Sequence, residues 1–478
     1  MKMIINGEKV SSSDKKEIQV LNPATQEVVD SVPSATKEDI EKVIQVAQSG
    51  KKTWAQTPLY ERSVILKKYV KLLGEHKAEL SKLECSETGK IIKECEGEVG
   101  TAAKLFTGFI ERANHICGDV MPDCQSECGK DLIFTRREPL GVIACIVPFN
   151  YPVELFSHKV APALVMGNAV IVKPATDNPL TVMRLVELLL EAGVPKDALQ
   201  VVTGRGSVVG NYLVESHGID AVSLTGSTDV GIEVATKSAK YLHNVFLELG
   251  GNDAMIVMED ADIDFAVEET MLGRISNTGQ TCCATKRILI NNKIKEEFVK
   301  KLIKRLEKIS RGNPADYSTD IGCLISEKVA VNIEKQVKLT IAQGAKCVYG
   351  GTRNKAFFEP TVLVDVTTDM DIAKDMEIFG PVIPVIGFNT EEEAIEIANA
   401  PIYGLHCGIV TKNVKQAINM ASKIEAGNVV INGTGNYRHM DMAFGGTKMT
   451  GIGREGVQYT LEEMSKVKSY VLKNIINN

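Results

Sequence analysis

The sequence of 478 residues lacks the features that mark membrane, secreted and nucleic-acid-binding proteins. No apolar run approaches the ~18–20 residues that span a bilayer, and the first residues show neither the apolar core nor the cleavage site of a signal peptide. The formal net charge is −6 and the basic residues form no local patch, which argues against nucleic acid or an anionic membrane as the main partner. We therefore expect a cytoplasmic protein that acts on a small molecule.

The cysteines show no regular spacing. They number eleven, an odd count at irregular intervals, which is unlike a disulfide scaffold and fits a reducing compartment. Cys124 and Cys128 have the separation of a metal-binding pair, but no second Cys or His pair of suitable spacing accompanies them. We expect no metal site.

From Gly141 onward, short apolar runs alternate with helical stretches. The apolar runs are continuous, as in a parallel sheet covered on both faces, and the 10–15-residue helical stretches between them indicate consecutive βαβ units. A second series of apolar runs extends from about 253 to 432. This pattern predicts an α/β protein of two or three domains with a cleft between them.

Several polar side chains follow the ends of the predicted strands: Asn150, Lys173, Glu248 and the segment Thr225-Gly226-Ser227. Ligands of parallel sheets bind beyond the carboxyl ends of the strands. Asn150 can donate to an oxyanion, and a carboxylate in apolar surroundings, such as Glu248, has the raised pKa of a general base. Each residue also has an ordinary structural interpretation when it is taken alone.

Cys282 lies in a glycine-led turn that the pattern places before another helix. A thiol near a helix N-terminus has a lowered pKa and attacks carbonyl carbons more readily. Taken alone, a buried cysteine is more often a small apolar residue of the core.

Seven segments together resemble the aldehyde dehydrogenase superfamily along nearly the whole chain, and they occur in the family's order. The segments are PFNYP (148–152), KP (173–174), TGSTDVG (225–231), LELGG (247–251), GQTC (279–282), EIFGP (377–381) and FGGTKMTGIGRE (444–455).

The resemblance implies a mechanism and a set of cofactor contacts. Cys282 would form a thiohemiacetal with an aldehyde, Asn150 and the Cys282 backbone N–H would stabilise the oxyanion, and Glu248 would activate the water that releases the acid. The cofactor contacts that it implies are Lys173 for ribose and phosphate, Gly226 and Ser227 for pyrophosphate, and Glu377 and Phe379 for the nicotinamide riboside.

The resemblance also implies a Rossmann-like cofactor domain, a second α/β catalytic domain and a small β oligomerisation arm, assembled as a homodimer or homotetramer. The implied ranges are 1–117 and 139–249 for the NAD(P)-binding domain, 250–445 for the catalytic domain, and 118–138 and 446–478 for the oligomerisation and bridging segments.

Thr176 departs from the carboxylate that related enzymes place against the 2′-hydroxyl of the adenine ribose. Threonine removes the repulsion that a carboxylate exerts on a 2′-phosphate, and it adds a hydroxyl donor. The sequence therefore favours NADP, and the neighbouring Asp177 keeps NAD as the alternative.

The residues expected at the substrate mouth are unusually polar, and they are Tyr151, His158, Thr281, Arg438 and His439. Arginine suits the recognition of carboxylate, phosphate or sulfonate groups. We expect a small polar or anionic aldehyde: succinate semialdehyde, lactaldehyde, glyceraldehyde 3-phosphate or a sulfonated analogue. In the alternative interpretation, Arg438 faces solvent or a neighbouring subunit.

Three other functions compete with this one. A CoA-acylating aldehyde dehydrogenase would transfer the acyl group to CoA, but such relatives tend to lack the carboxylate of Glu248. A cysteine hydrolase would need a histidine partner for Cys282, and no Cys-His signature is recognisable in the sequence. A catalytically silent structural or binding homologue would usually have lost Cys282, Glu248 or Asn150, and the sequence retains all three.

Overall fold

A computed structural model describes residues 1–122 and 130–475. Cys124 and Cys128 lie outside these residues. Within them, no group of three or more His, Cys, Asp or Glu side chains is placed to hold a metal ion. No helix of the described ranges is both long enough and apolar enough to cross a membrane.

Some of the described helices begin at a side-chain cap that the sequence provides. Thr36 and Asp39 form a reciprocal capping box at the start of the first helix, which satisfies backbone N–H groups that have no partner within the helix. The α-helices of the described residues are α1 (Lys37–Gln56), α2 (Leu59–Glu75), α3 (Lys77–Thr88), α4 (Ile92–Ala113), α5 (Pro152–Val165), α6 (Leu180–Ala192), α7 (Asn211–Val214), α8 (Thr228–Ala239), α9 (Ile263–Ile275), α10 (Lys295–Leu306), α11 (Glu327–Ala342), α12 (Glu391–Asn399), α13 (Val414–Ala421) and α14 (Val457–Glu463).

The strands are short. They are β1 (Met3–Ile5), β2 (Glu8–Val10), β3 (Glu17–Leu21), β4 (Val28–Pro33), β5 (Leu132–Pro139), β6 (Val142–Ile146), β7 (Ala169–Lys173), β8 (Leu199–Val201), β9 (Ala221–Thr225), β10 (Asn244–Glu248), β11 (Ala254–Val257), β12 (Arg287–Asn291), β13 (Lys346–Tyr349), β14 (Arg353–Asn354), β15 (Phe357–Phe358), β16 (Thr361–Val364), β17 (Val382–Phe388), β18 (Tyr403–Gly404), β19 (His406–Val410), β20 (Asn428–Ile431), β21 (Thr447–Lys448), β22 (Gly451–Ile452) and β23 (Ser465–Leu472).

The first large sheet has the order β2-β1-β8-β7-β6-β9-β10-β22 in the described part of the chain, and its five central strands from β8 to β10 are parallel. Ile143 and Cys145 pack on the side of α2, α4, α5 and α6, while Val142 and Ala144 pack on the side of α1. Both faces of β6 are therefore buried, which explains its continuous apolar run. The predicted Rossmann-like sheet is confirmed.

The second large sheet has the order β13-β16-β17-β12-β11-β19-β20 among the described residues, and it is parallel except at β13. Ala254 and Ile256 face one core and Met255 and Val257 the other. This sheet corresponds to the second predicted α/β series.

A two-stranded sheet joins two distant parts of the chain. β5 and β23 pair antiparallel from Leu132 opposite Leu472 to Pro139 opposite Ser465. The short strand β22 lies in the first large sheet, antiparallel to β10, so the segment 446–478 contributes to that sheet as well as to the arm. The domain boundaries stay a prediction.

Buried carboxylates of α3 and α4 position the helices that follow the first sheet's strands. At the start of α5, the backbone N–H groups of Val153 and Glu154 donate to the Glu98 carboxylate of α4, at 2.8 and 2.9 Å. The buried Lys90 ammonium pairs with Glu98 and with Glu84 and lies 4.2 Å from the centre of the Tyr151 ring. A negative charge at a helix N-terminus is stabilising, and here it also fixes where the chain leaves the sheet after β6.

Candidate active site

The backbone before Cys282 adopts a left-handed turn. After α9, residues Asn277, Thr278 and Gly279 have φ values of 48°, 55° and 74°. The Asn277 N–H donates to both oxygens of Glu94, at 3.0 and 3.1 Å, and its side-chain amide donates to the Asn150 carbonyl at 2.8 Å. Such conformations are costly for non-glycine residues and persist when surrounding contacts impose them. The turn is therefore anchored to α4 and to the segment that follows β6.

The prediction of a helix after Cys282 is wrong. Residues 282–284 form a turn and bend, and strand β12 begins at Arg287. No helix N-terminus is therefore present to lower the pKa of Cys282, and the pKa is in fact raised. A hydrogen bond with the adjacent Cys283 thiol and partial burial raise the pKa of Cys282 well above its usual range, while Glu248 and Lys286 act against the rise.

Glu248 is the last residue of β10, between β9 and β22, and its side chain is buried. Neither carboxylate oxygen has a hydrogen-bond partner within the described residues. Burial, together with the negative charge that Cys282 can carry, raises the pKa of Glu248 well above its usual range. This confirms the expectation of a raised pKa at the strand end.

Asn150 lies next to the left-handed turn at 277–279, which precedes Cys282 and is called the nucleophile turn below. Its side-chain amide donates one hydrogen to the Gln280 carbonyl, at 3.1 Å. An amide NH₂ has two hydrogens, so one donor remains for a ligand. Cys282, Glu248 and Asn150, which are far apart in the sequence, thus meet where the first sheet faces the second.

The residues predicted to hold the adenosine and phosphate end of the cofactor lie at the same carboxyl edge. The ammonium of buried Lys173 donates to the Pro174 carbonyl at 2.9 Å, and burial lowers the pKa of Lys173 to about 8. The Thr176 hydroxyl donates to the Gly204 carbonyl at 3.2 Å. Gly226 and the exposed Ser227 immediately precede α8, a setting that favours phosphate binding. These residues fit a dinucleotide.

The residues predicted to hold the nicotinamide riboside lie on the other side of Cys282. Glu377 accepts the Gly251 N–H at 3.1 Å and pairs with the Lys286 ammonium at 3.1 Å. The other Glu377 oxygen lies close to Gly250, where a Cβ would come within 2.6 Å of it. The Phe379 ring meets Phe149 edge to face, with ring centres 5.8 Å apart.

Arg438 is not available as the free anion receptor that the sequence suggested. Its guanidinium pairs with Glu455 at 2.5 Å and with Glu154 at 3.8 Å, and it lies 3.9 Å from the centre of the Phe444 ring. Burial lowers the pKa of Arg438, but these two carboxylates outweigh it and raise the pKa. Glu455 also pairs with the buried Lys159 ammonium at 3.4 Å.

His158 follows Glu154 by one helical turn of α5 and is buried. Neither ring nitrogen has a hydrogen-bond partner in the described ranges, and burial lowers the pKa of His158 to about 3, so the ring is neutral. It lines a small cavity together with Lys159, Glu248 and Glu455.

The other predicted substrate residues are divided. The Tyr151 hydroxyl and the Thr281 hydroxyl lie 3.2 Å apart beside the nucleophile turn. His439 is exposed, and its Nδ1 accepts the backbone N–H of Asp441 within its own loop, at 3.2 Å.

Sequence reasoning missed four charged residues of the site: Glu94, Lys159, Lys286 and Glu455. Glu455 ends a segment that already carried the resemblance, and Lys286 follows Cys282 by four residues, so their positions offered a signal. The position of Glu94 offered no such signal, because 183 residues separate it from its contact Asn277.

The Cys282 thiol lies beside the buried carboxylate at the end of β10 in the Rossmann-like sheet, and groups that fit a dinucleotide lie on both sides of it. This arrangement is typical of NAD(P)-dependent oxidoreductases. Residues 9–470 match the aldehyde dehydrogenase family, and the chain belongs to that family.

The comparisons extend over nearly the whole chain. A lactaldehyde dehydrogenase of Methanococcus aeolicus is 36% identical, over 98% of this chain and 99% of its own. A 3-sulfolactaldehyde dehydrogenase of Priestia aryabhattai is 38% identical, over 98% and 97%. The crystal structure of an NADP-dependent enzyme of E. coli matches with a TM-score of 0.96 and 33% identity, over 99% of this chain and 98% of that one.

Replacing Cys283 tests the origin of the raised thiol pKa. Cys283→Ala removes the hydrogen bond that raises the pKa of Cys282, so the thiolate fraction at pH 7 increases and iodoacetamide alkylates Cys282 about threefold to tenfold faster. Peptide mass spectrometry of the cofactor-free protein measures the rate at Cys282 itself. The exposed Cys347 provides the control, because Cys347→Ala leaves that rate unchanged. An unchanged or slower rate in Cys283→Ala contradicts this explanation.

Proposed function

We propose that the protein oxidises a small, uncharged hydroxyaldehyde, of which lactaldehyde is the type, to the carboxylic acid with NAD(P), and that water releases the acid. The observation that carries this proposal is the buried carboxylate of Glu248, unpartnered within the described residues and close to Cys282. A carboxylate with a raised pKa is suited to take a proton from water near neutral pH. It has no such use in an enzyme that transfers the acyl group to CoA.

In the first step the Cys282 thiol gives up its proton, which the nearby Glu248 carboxylate can accept and pass to solvent, and the sulfur attacks the aldehyde carbon. The carbonyl oxygen becomes an oxyanion, which the second amide hydrogen of Asn150 and the Cys282 backbone N–H stabilise. NAD(P), when bound, would supply the acceptor for the hydride whose loss converts the thiohemiacetal on Cys282 to a thioester. Lys173, Ser227 and Glu377 are the residues that would hold the cofactor.

The second step is hydrolysis of the thioester. Glu248 takes a proton from water, and the resulting hydroxide attacks the acyl carbon and displaces the thiolate. Because its oxygens have no hydrogen-bond partner in the described part of the chain, Glu248 can turn toward the water without breaking a protein contact.

The charges at the substrate mouth favour an uncharged substrate. Arg438 and Lys159 are balanced by Glu154 and Glu455, so an anionic substrate would have to compete with two carboxylates for these cations. The neutral His158 ring offers its nitrogens to a substrate hydroxyl. The similarity to a lactaldehyde dehydrogenase supports this class, and the similarity to a 3-sulfolactaldehyde dehydrogenase makes the anionic aldehydes the rival.

Thr176 supports a preference for NADP. Its hydroxyl is held by the Gly204 carbonyl at the edge where the adenine ribose is expected, so the position carries no charge that would repel a 2′-phosphate. The buried ammonium of Lys173 lies three residues away.

A homodimer or homotetramer through the arm is part of this proposal. Val467 and Val471 of β23 are more than half exposed, and apolar side chains on an edge strand are suited to pairing with another chain. Light scattering coupled to gel filtration tests the assembly, and a monomer at micromolar concentration contradicts it.

The substrate prediction is tested by absorbance at 340 nm with NAD or NADP, without CoA, against lactaldehyde, glyceraldehyde, succinate semialdehyde, glyceraldehyde 3-phosphate and sulfolactaldehyde. We expect the largest kcat/KM for lactaldehyde with NADP. We also expect that the Cys282→Ala variant does not reduce the cofactor. Reduction only after CoA is added contradicts the hydrolytic mechanism. No cofactor reduction with or without CoA favours a non-catalytic homologue. A preference for an anionic aldehyde overturns the proposed class of uncharged substrates.

Two variants in the same assay test the preference for an uncharged substrate and the preference for NADP. Glu154→Gln removes one charge that balances Arg438, so kcat/KM for succinate semialdehyde rises about tenfold while that for lactaldehyde changes little. Thr176→Glu raises KM for NADP by at least about tenfold and leaves KM for NAD nearly unchanged. Thr176→Val, which adds no charge, is the matched control for the second variant.

A further inference from the structure

Lys286 occupies a position between the nucleophile and the cofactor site. It immediately precedes β12, and its side chain is 1% exposed. Its ammonium donates to the carbonyl oxygen of Cys282 and pairs with the Glu377 carboxylate at 3.1 Å. It also lies 5.8 Å from the centre of the Phe379 ring.

The backbone of Lys286 is fixed independently of its side chain. The N–H groups of Lys286 and Arg287 both donate to the Asp253 carbonyl, at 2.9 and 3.0 Å. The side chain therefore extends from a backbone that other contacts hold, and it reaches Cys282 and Glu377 from there. A buried ammonium is costly unless it is paired and hydrogen-bonded, so these contacts are strongly preferred over alternatives.

Two other buried cations near this site have a different set of partners. Arg274 donates to the Val382 and Ile378 carbonyls, at 2.6 and 2.8 Å, and Arg287 donates to the Asn252 carbonyl at 2.8 Å. These contacts hold the backbone of neighbouring loops together. Lys286 instead joins the residue that carries the nucleophile to a carboxylate side chain that faces the predicted nicotinamide riboside.

We propose that Lys286 is a positioning residue that holds Cys282 and Glu377 in a fixed relation, so that the thiol and the nicotinamide riboside are aligned for hydride transfer. Lys286 contacts one Glu377 oxygen, and the other oxygen lies against Gly250 at the cofactor site. The role rests on the proposed function of Cys282 and Glu377, and it goes beyond that function by assigning their alignment to one side chain.

The same ammonium acts electrostatically on the thiol. The groups that influence the pKa of Cys282 are the Cys283 thiol, which raises it through a hydrogen bond, and Glu248 and Lys286, which lower it. The charge of Glu377 partly cancels that of Lys286. Removal of either charge therefore shifts the reactivity of the Cys282 thiol in a defined direction. Loss of Lys286 makes Cys282 less reactive, and loss of the Glu377 charge makes it more reactive.

The test uses the full-length protein without substrate. Lys286→Met, Lys286→Arg and Glu377→Gln are compared with wild type and with Lys293→Met, a control at an exposed lysine paired with Glu259. Two quantities are measured: the dissociation constant of NADPH from its fluorescence, and the rate of Cys282 alkylation by iodoacetamide between pH 6 and 9, read by peptide mass spectrometry.

We expect Lys286→Met to weaken NADPH binding about tenfold and to slow alkylation at pH 7 about tenfold. Lys286→Arg retains both quantities within about threefold, because the guanidinium keeps the charge and the donors. Glu377→Gln weakens NADPH binding but accelerates alkylation. These opposite signs would not arise from a general loss of structure.

The proposal is overturned if Lys286→Met leaves both the NADPH dissociation constant and the alkylation profile unchanged, or lowers only the melting temperature. If Lys286→Met does not fold, Glu377→Gln decides, because slower or unchanged alkylation in that variant overturns the electrostatic link. A wrong substrate assignment has no effect on either readout, so failure of the proposed function and failure of this inference are distinguishable.

Discussion

The burial of the Glu248 carboxylate is the constraint on which the rest of the site depends. The side chain lies at the end of β10 between two hydrogen-bonded strands, without a hydrogen-bond partner among the described residues. An unpaired buried carboxylate is costly as an anion, and the cost appears as a raised pKa. The surrounding structure must therefore be stable enough to hold a group that would otherwise reach solvent. The continuous apolar strands β7 and β9, buried on both faces, provide that stability.

The site's other charges are arranged around this carboxylate in pairs. Lys159 and Arg438 share Glu455, and Lys286 contacts Glu377. Such pairs keep each buried cation compensated without supplying Glu248 with a hydrogen-bond partner. A site of this kind separates two roles: paired charges fix geometry, and the unpartnered carboxylate remains available for proton transfer. In this view the polar substrate mouth does not have to bind an anion.

Much of the architecture follows from local patterns in the sequence. The apolar runs of β6, β7, β9 and β10 alternate with helical stretches, and period and spacing alone indicate a parallel sheet with ligands at its carboxyl edge. Asn150, Lys173 and Glu248 lie at that edge because strand ends in parallel sheets converge. Their chemical roles required the resemblance of seven ordered segments, because each residue alone has an ordinary explanation.

The rest could not be read from the sequence, for physical reasons. The polar turn around Cys282 looked like the start of a helix, yet only four residues separate Cys282 from β12, which pairs with β11 and β17. Arg438 looked like an anion receptor because its partners Glu154 and Glu455 are distant in sequence or on another element. Glu94, which anchors the left-handed turn at Asn277, is brought there only by the packing of α4.

The central claim is that Glu248 hydrolyses a thioester carried by Cys282, and the intact mass of a Glu248→Gln variant tests it most directly. The variant is mixed with lactaldehyde and NADP and quenched in acid, and NADPH formation is followed in parallel. The account predicts a burst of NADPH equivalent to the active sites, followed by slow turnover, with an acyl adduct on the Cys282 peptide. Turnover at the wild-type rate without an adduct would contradict the assignment of Glu248 as the base that releases the acid.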